Sequence, residues 1–210
     1  MTAFYNTIAG RSRERLAALS DGVFAFAMTV LVLDLRPPPL DGIHTEADLI
    51  HALIALGPRL LTFLMSFMTL GIFWVGQQTQ HDWLAHSDRA YTWLHMGFLM
   101  AVCLLPFSTD LLAEYIVFRT ALLVYWLNIL ALGLLLLASW MRAKWFGLVK
   151  AGAPKNLDSA FIRRVVVAQL FYAFGAGLCF FSTWWSIGFI VAVQLVYVIG
   201  PRFRPFTWMS

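Results

Sequence analysis

The sequence predicts an all-α, polytopic membrane protein with six transmembrane helices in a single domain, residues 1–210. Two observations predict this class. Apolar residues make up 60% of the chain and charged residues only 12%, whereas a typical soluble domain carries roughly 25% charged residues. The chain also divides into six apolar segments separated by short polar breaks, and the first is long enough to cross a bilayer. A soluble domain is therefore excluded.

The first apolar segment covers about residues 16–35 and stops before Arg36 and three consecutive prolines, through which no helix continues. A long apolar stretch without a small-residue cleavage site is retained rather than removed as a signal peptide. A carboxylate in such a span costs about 2.5 to 3.5 kcal/mol at the bilayer centre and less near its ends, so Asp21 needs a partner or water. The segment carries four polar residues: Ser20, Asp21, Thr29 and Asp34.

The second segment is predicted to begin with a capped helix. Thr45 followed by Asp48 three residues later is typical of a helix N-terminus. The helix is expected to continue through a kink at Gly57 and Pro58 to about Gln80. Because this length exceeds one membrane thickness, its first turns are expected to lie at the interface.

The remaining four segments are shorter. The third covers about 90–108 and is expected to end in Pro106-Phe107-Ser108-Thr109, the fourth covers about 117–141, and the fifth and sixth cover about 163–182 and 184–200. A tight connection joins the last two segments. The longest polar stretch, between the fourth and fifth segments, is rich in lysine and is predicted to be a loop that sets topology and contacts anionic lipid.

The distribution of positive charge predicts the orientation. With six spans and both termini on one side, that side holds 12 of the 15 lysines and arginines, which places both termini in the cytoplasm by the positive-inside rule. We therefore expect a multi-pass protein of the cell (inner) membrane, whose net charge of +4 reflects topology and not a nucleic-acid partner. The twelve residues are Arg11, Arg13, Arg15, Arg89, Arg142, Lys144, Lys150, Lys155, Arg163, Arg164, Arg202 and Arg204; the opposite side has Arg36, Arg59 and Arg119.

Catalytic and metal-binding patterns are weak. His81 and His86 lie near two aspartates, but their spacing does not place both rings on one helical face, so solvated loop residues are favoured over a metal site. Ser20 and Asp21 do not form a hydrolase motif, since no GxSxG surrounds them, and no phosphate-binding glycine loop occurs. We expect neither an enzyme nor a cofactor.

One face of the first helix favours transport. Gly22, Phe26, Thr29 and Leu33 recur at helical spacing and combine a small residue, two bulky apolar residues and a hydroxyl. Symmetry-related copies of this face would enclose a narrow path, with a hydrophobic constriction at Phe26 and a ring of Thr29 oxygens for a partly dehydrated cation. The same stripe is also compatible with ordinary helix packing, in which Thr29 bonds its own backbone.

The segment from Arg15 through Ser20-Asp21-Gly22 resembles the R-x-x-x-F-S-D-G signature of the endolysosomal potassium channel family, transmembrane protein 175, and its prokaryotic relatives. The six-span plan is also similar, so the resemblance covers nearly the whole chain. Further matching residues are Ser66-Phe67, Trp74, Pro106-Phe107-Ser108-Thr109 and Tyr115.

The resemblance implies a channel permeable to K⁺, selective over Na⁺, that lacks a TVGYG filter and whose pore is lined by the first helix; TVGYG is absent from this sequence. Prokaryotic members have one six-helix repeat and assemble as tetramers, so a homotetramer is implied. The sequence departs from the family pattern in three places. Leu19 replaces a phenylalanine, Phe26 replaces a branched aliphatic residue at the constriction, and Gln77-Gln78 replaces a histidine pair of the polar network, so pH sensitivity is not carried over.

Arg15, Ser20 and Asp21 are interpreted as structural anchors of the pore helix and not as ion ligands. Arg15 lies about 9 Å from Asp21 along the helix axis and could reach it or a neighbouring subunit. The intramembrane amides Asn128, Gln169 and Gln194 are expected to bond between helices. A secondary transporter of a small cation or solute stays the alternative, although the two halves of the chain show no repeat and no broken helix lies at mid-membrane.

Overall fold

A computed structural model describes residues 13–39 and 42–200; the predicted cytoplasmic arginines Arg11, Arg202 and Arg204 lie outside this part of the chain. The described residues form α-helices joined by short loops and two 3₁₀ turns, with no β-strand among them. The helices are α1 Arg13–Val30, α2 Glu46–Ala55, α3 Gly57–Trp83, α4 Arg89–Glu114, α5 Arg119–Trp145, α6 Leu157–Gly177 and α7 Thr183–Ile199. The predicted all-α class is confirmed.

Five helical segments of the described chain are long and apolar enough to cross a membrane: Arg13–Asp34, Gly57–Trp83, Arg89–Glu114, Arg119–Trp145 and Leu157–Phe180. A polytopic membrane protein is thereby confirmed. The shorter α7 is also apolar, with 17 residues. A sixth span therefore stays a prediction.

The predicted second segment is two helices and not one kinked helix. The capping box is confirmed: the Thr45 hydroxyl accepts a hydrogen bond from the Asp48 amide, and the Asp48 carboxylate accepts one from the Thr45 amide. However, α2 ends after ten residues, and a new helix begins at Gly57. Because Pro58 lacks an N–H, it fits the first turn of a helix better than its interior. The chain therefore restarts at this point.

The prediction that the third segment ends in Pro106-Phe107-Ser108-Thr109 is wrong, because α4 continues to Glu114. The missing N–H of Pro106 removes one backbone hydrogen bond, a loss that transmembrane helices tolerate where hydroxyl side chains bond nearby backbone groups. Here the Ser108 and Thr109 hydroxyls donate to the carbonyl of Leu105, at 3.0 and 2.8 Å. The two hydroxyls thus add hydrogen bonds in the turn around Pro106, and the helix continues through this residue.

The loop between α5 and α6 is shorter than predicted, because α5 extends to Trp145 and α6 begins at Leu157. The loop pairs with the α3–α4 connection through two backbone hydrogen bonds. The Ala85 amide donates to Leu148 at 2.8 Å, and the Lys150 amide donates to Trp83 at 2.9 Å. These bonds hold both loops together at one end of the bundle.

The three intramembrane amides bond between helices, as predicted. Asn128 of α5 donates to Ser108 of α4, and Gln194 of α7 donates to Thr69 of α3 at 2.7 Å. Gln169 of α6 donates to a backbone carbonyl of α5, and it lies against Gly133, where an added Cβ would be 1.9 Å from its amide nitrogen. Polar contacts thus link α4 with α5, α5 with α6, and α3 with α7.

Candidate ion pathway

The first helix has one buried face and one exposed face. Its buried residues recur every three or four positions and pack against α3 and α4: Leu16, Ser20, Phe24, Ala27 and, in the 3₁₀ turn that follows, Leu31. On the opposite side, Phe26 is 70% exposed and Leu33 66% exposed, although both are large and apolar. The period of 3.6 residues produces this division.

All four residues of the predicted stripe lie on the exposed side of the subunit. An added Cβ at Gly22 would meet no atom of the described residues within 4 Å, so none of the described elements covers this position in the subunit. The Thr29 hydroxyl donates to the carbonyl of Phe26 at 2.7 Å, which still leaves its oxygen lone pairs available. Leu33 lies in a 3₁₀ turn, whose tighter winding changes its direction relative to a continuous α-helix.

Ser20 is buried against α4. Its hydroxyl donates to the Leu16 carbonyl at 2.8 Å and lies 2.6 Å from Nε2 of His95. A hydroxyl has a single proton, so when Ser20 donates to the carbonyl, the His95 ring donates to the Ser20 oxygen. This contact requires the Nε2–H tautomer of His95 and joins α1 to α4 inside the bundle.

Two further side chains continue this cluster into α3. The rings of His95 and His81 are 4.9 Å apart between centroids, and the Gln77 amide nitrogen lies 2.9 Å from Nδ1 of His81. His81 is therefore a buried member of α3, and the interpretation of it as a solvated loop residue is wrong; only His86 lies exposed in the loop. Because α3 ends at Trp83, three residues beyond the predicted end at Gln80, His81 lies within the helix and faces the interior of the bundle.

Asp21 is held by donors from α3 at the edge of the exposed face. The Trp74 indole donates to its carboxylate at 2.9 Å, and the Gln78 amide donates to the same oxygen at 2.7 Å. Arg15 lies in the first turns of α1 and is exposed. Gln77 and Gln78, which replace the histidine pair of the family pattern, thus both belong to the polar cluster of α1, α3 and α4.

Sequence reasoning did not find His95, Trp74 and Gln78 as the partners of Ser20 and Asp21. One signal was present, because a histidine inside an apolar span, such as His95, is rare and has a functional or structural partner by default. The identity of that partner depends on helix packing. The sequence does not contain this information in any local pattern.

Residues 15–106 match the family described as endosomal/lysosomal potassium channel TMEM175. A potassium channel of Streptomyces collinus is 34% identical over 178 residues, covering 80% of this chain and 82% of its own length. A potassium channel of Chamaesiphon minutus is 32% identical over 185 residues, covering 85% and 91%.

The fold is similar as well. The crystal structure of a lysosomal potassium-selective channel TMEM175 homologue from Chamaesiphon minutus aligns with a TM-score of 0.77 and 28% identity, over 90% of this chain and 97% of that chain. The polar cluster of α1, α3 and α4 and the exposed stripe of Gly22, Phe26, Thr29 and Leu33 lie within the region that matches the family. The chain belongs to the TMEM175 potassium channel family.

Proposed function

We propose that this chain is the subunit of a potassium-permeable channel that prefers K⁺ over Na⁺ and has no TVGYG filter. The ion path is lined by the exposed face of α1, with Phe26 at a hydrophobic constriction. Residues 1–210 form one channel domain. The choice of K⁺ as the permeant ion is supported by the bacterial relatives, which are named potassium channels. The location of the ion path is supported by the face of α1 that the subunit leaves exposed.

The composition of that face distinguishes it from a surface that contacts only lipid. Apolar residues alone would suffice against lipid tails, yet Gly22 and Thr29 alternate with the large side chains. Small and hydroxyl residues favour close approach between helices and contact with a partly hydrated ion. Because Phe26 and Leu33 are large apolar residues that the subunit leaves exposed, this face is available to neighbours outside the subunit.

One subunit cannot enclose a path, because its stripe lies on a convex helix surface. We propose a homotetramer in which four copies of α1 surround a central axis, in the cell (inner) membrane with both termini in the cytoplasm. The phenylalanine rings would repel water and resist the passage of hydrated ions. The Thr29 oxygens, about 4.5 Å further along the axis, would replace part of the hydration shell without holding the ion tightly.

The polar cluster at the cytoplasmic end would position this helix. Ser20 and Asp21 contact different neighbours, so together they fix both the depth and the rotation of α1. Arg15 belongs to the same end of the helix. In this proposal none of the three residues binds the ion.

The test is ion flux through the purified protein in liposomes under bi-ionic conditions, with K⁺ on one side and Na⁺ on the other. A reversal potential shifted toward the K⁺ equilibrium, with unitary current steps, supports the proposal. Transport that stays below the rate of open-pore conduction and requires a counter-transported solute would refute the channel and favour a transporter. Cross-linking of adjacent subunits to a tetramer tests the assembly separately.

A further inference from the structure

A second site lies on the side of the bundle that faces away from α1. A cleft of about 170 Å³ opens between α3, α5, α6 and α7, and no residue of α1 or α4 lines it. Its walls are mainly apolar and aromatic, and small residues leave the space open. At Gly76, an added Cβ would lie 3.5 Å from Leu136, so a larger side chain would narrow the cleft. Its apolar lining includes Phe73, Leu136, Phe161, Val165 and Ala168.

Two arginines stand at the mouth of this cleft. Arg163 and Arg164 are exposed on α6, and the Arg164 guanidinium lies 5.7 Å from the centroid of the Tyr197 ring of α7. Within residues 13–39 and 42–200, the ion pairs are Arg59–Glu114, Arg142–Asp88 and Lys144–Asp158, so neither arginine is neutralised by a described carboxylate. Among the described residues, no aspartate or glutamate lines the cleft.

The depth of these arginines matches the headgroup region. Arg163 lies about 9 Å along α6 from its first residue, Leu157, which follows the loop that pairs with the α3–α4 connection. Apolar walls extend from there toward the bilayer centre, as far as Tyr172. The arrangement places two positive charges at the membrane surface and an apolar groove below them.

We propose that this cleft binds an anionic phospholipid of the bilayer. One acyl chain lies in the apolar groove, and the headgroup phosphate accepts hydrogen bonds from Arg163 and Arg164, because arginine forks match phosphate oxygens. Phosphatidylcholine offers the same phosphate, but its quaternary ammonium places a positive charge close to the two arginines. A soluble anion would leave the apolar walls unfilled. Basic pockets between transmembrane helices near the cytoplasmic surface bind anionic headgroups for the same reason.

The test compares two double variants that each remove two positive charges from the same end of the protein. Arg163→Gln/Arg164→Gln changes the cleft, and Lys150→Gln/Lys155→Gln changes the loop as the matched control. Full-length protein is placed in phosphatidylcholine vesicles with and without phosphatidylglycerol. Bound lipid is counted by native mass spectrometry, and the thermal unfolding midpoint is followed. Wild type and the loop control should retain phosphatidylglycerol and unfold at higher temperature in its presence.

The cleft variant should bind phosphatidylglycerol roughly 30-fold more weakly, as expected for the loss of two surface arginine contacts. Ala168→Phe keeps both charges but fills the groove, and it should also lose the lipid while unfolding normally in phosphatidylcholine alone. Equal lipid loss in the loop control, or full retention by the cleft variant, would overturn the site. Equal stabilisation by oleate would overturn the choice of a phospholipid. Lipid binding is measured without ion flux, so this result is independent of the proposed channel.

Discussion

Phe24 and Phe26 are two positions apart on α1, and they offer a direct test of its two faces. Phe24 is 1% exposed, and its ring centroid lies 5.9 Å from that of Phe98 on α4. Phe26 is 70% exposed in the subunit. Replacing each by alanine removes the same atoms from one helix, so differences between the two variants come from the face and not from helix propensity.

The expected magnitudes differ accordingly. Phe24→Ala leaves a cavity in the core, and such truncations cost about 3 to 5 kcal/mol in the free energy of unfolding. Phe26→Ala removes little buried surface from the subunit, so its folding free energy should change by no more than about 0.5 kcal/mol. At the proposed constriction, however, loss of four rings widens the narrowest point. Cation flux should rise, and the preference for K⁺ over Na⁺ should fall.

Both variants are reconstituted in liposomes, and flux, bi-ionic reversal potential and thermal unfolding midpoint are measured on the same samples. Phe174→Ala on α6 is the control for removing an exposed ring, since Phe174 is 60% exposed. Phe26→Ala should alter permeation at a near wild-type midpoint, whereas Phe24→Ala should lower the midpoint. Wild-type permeation in Phe26→Ala, or an equal change in Phe174→Ala, would refute the assignment of this face to the pore.

Three further predictions follow from individual contacts. Thr29→Val keeps the side-chain shape and deletes the hydroxyl. The preference for K⁺ over Na⁺ in bi-ionic recordings should therefore fall, while the closed state held by Phe26 persists. Unchanged reversal potentials would mean that Thr29 bonds only its own helix. Asp21→Asn replaces charge-assisted hydrogen bonds from two α3 donors by neutral ones. The thermal unfolding midpoint should therefore drop by the equivalent of about 1 to 2 kcal/mol while ion selectivity stays unchanged. Altered selectivity would mean that Asp21 is an ion ligand. Burial raises the pKa of the Asp88 carboxyl, but hydrogen bonds from the Arg142 side chain and a backbone amide outweigh this and hold the pKa below its ordinary value. Because the folded-state pKa is lowered, the stabilisation is present above the unfolded pKa of about 3.9 and is lost as the pH falls through the folded pKa. Asp88→Asn should remove this acid-dependent part of the unfolding midpoint. A variant with the same dependence of the midpoint on acid pH as wild type would contradict the prediction.

Patterns that depend on neighbouring residues could be predicted from the sequence. The Thr45–Asp48 capping box is fixed by residues three positions apart, and its two reciprocal hydrogen bonds form as expected. Gly22, Phe26 and Thr29 share one side of α1 by helical periodicity alone, which is why their common face could be predicted. Leu33 is exposed as well, but it lies in the 3₁₀ turn that the periodicity did not predict. For the amides, the cost of an unpaired polar group inside a membrane predicts a partner.

Features decided by distant residues could not be predicted. A carboxylate at Asp21 indicates a need for a partner, but only the packing of α3 against α1 identifies Trp74 and Gln78 as its donors. Pro106 gives the local signal for a helix end, yet α4 continues to Glu114. The turn after it contacts two other helices, because Ser108 accepts from Asn128 of α5 and Thr109 lies against Ser66 of α3. In both cases tertiary contacts outweigh the local rule.

The rotation of α1 is the quantity that connects its polar cluster to the proposed ion path. Successive residues differ by about 100° around a helix, so a shift of one position would remove Phe26 from the axis and replace it by a neighbour. Apolar packing around Phe24 tolerates such repacking at modest cost, because hydrophobic contacts are not directional. Hydrogen bonds are directional: Ser20 bonds toward α4, and Asp21 bonds toward α3, and only one rotation satisfies both. In the proposed channel, residues that never touch the ion therefore determine which side chains do.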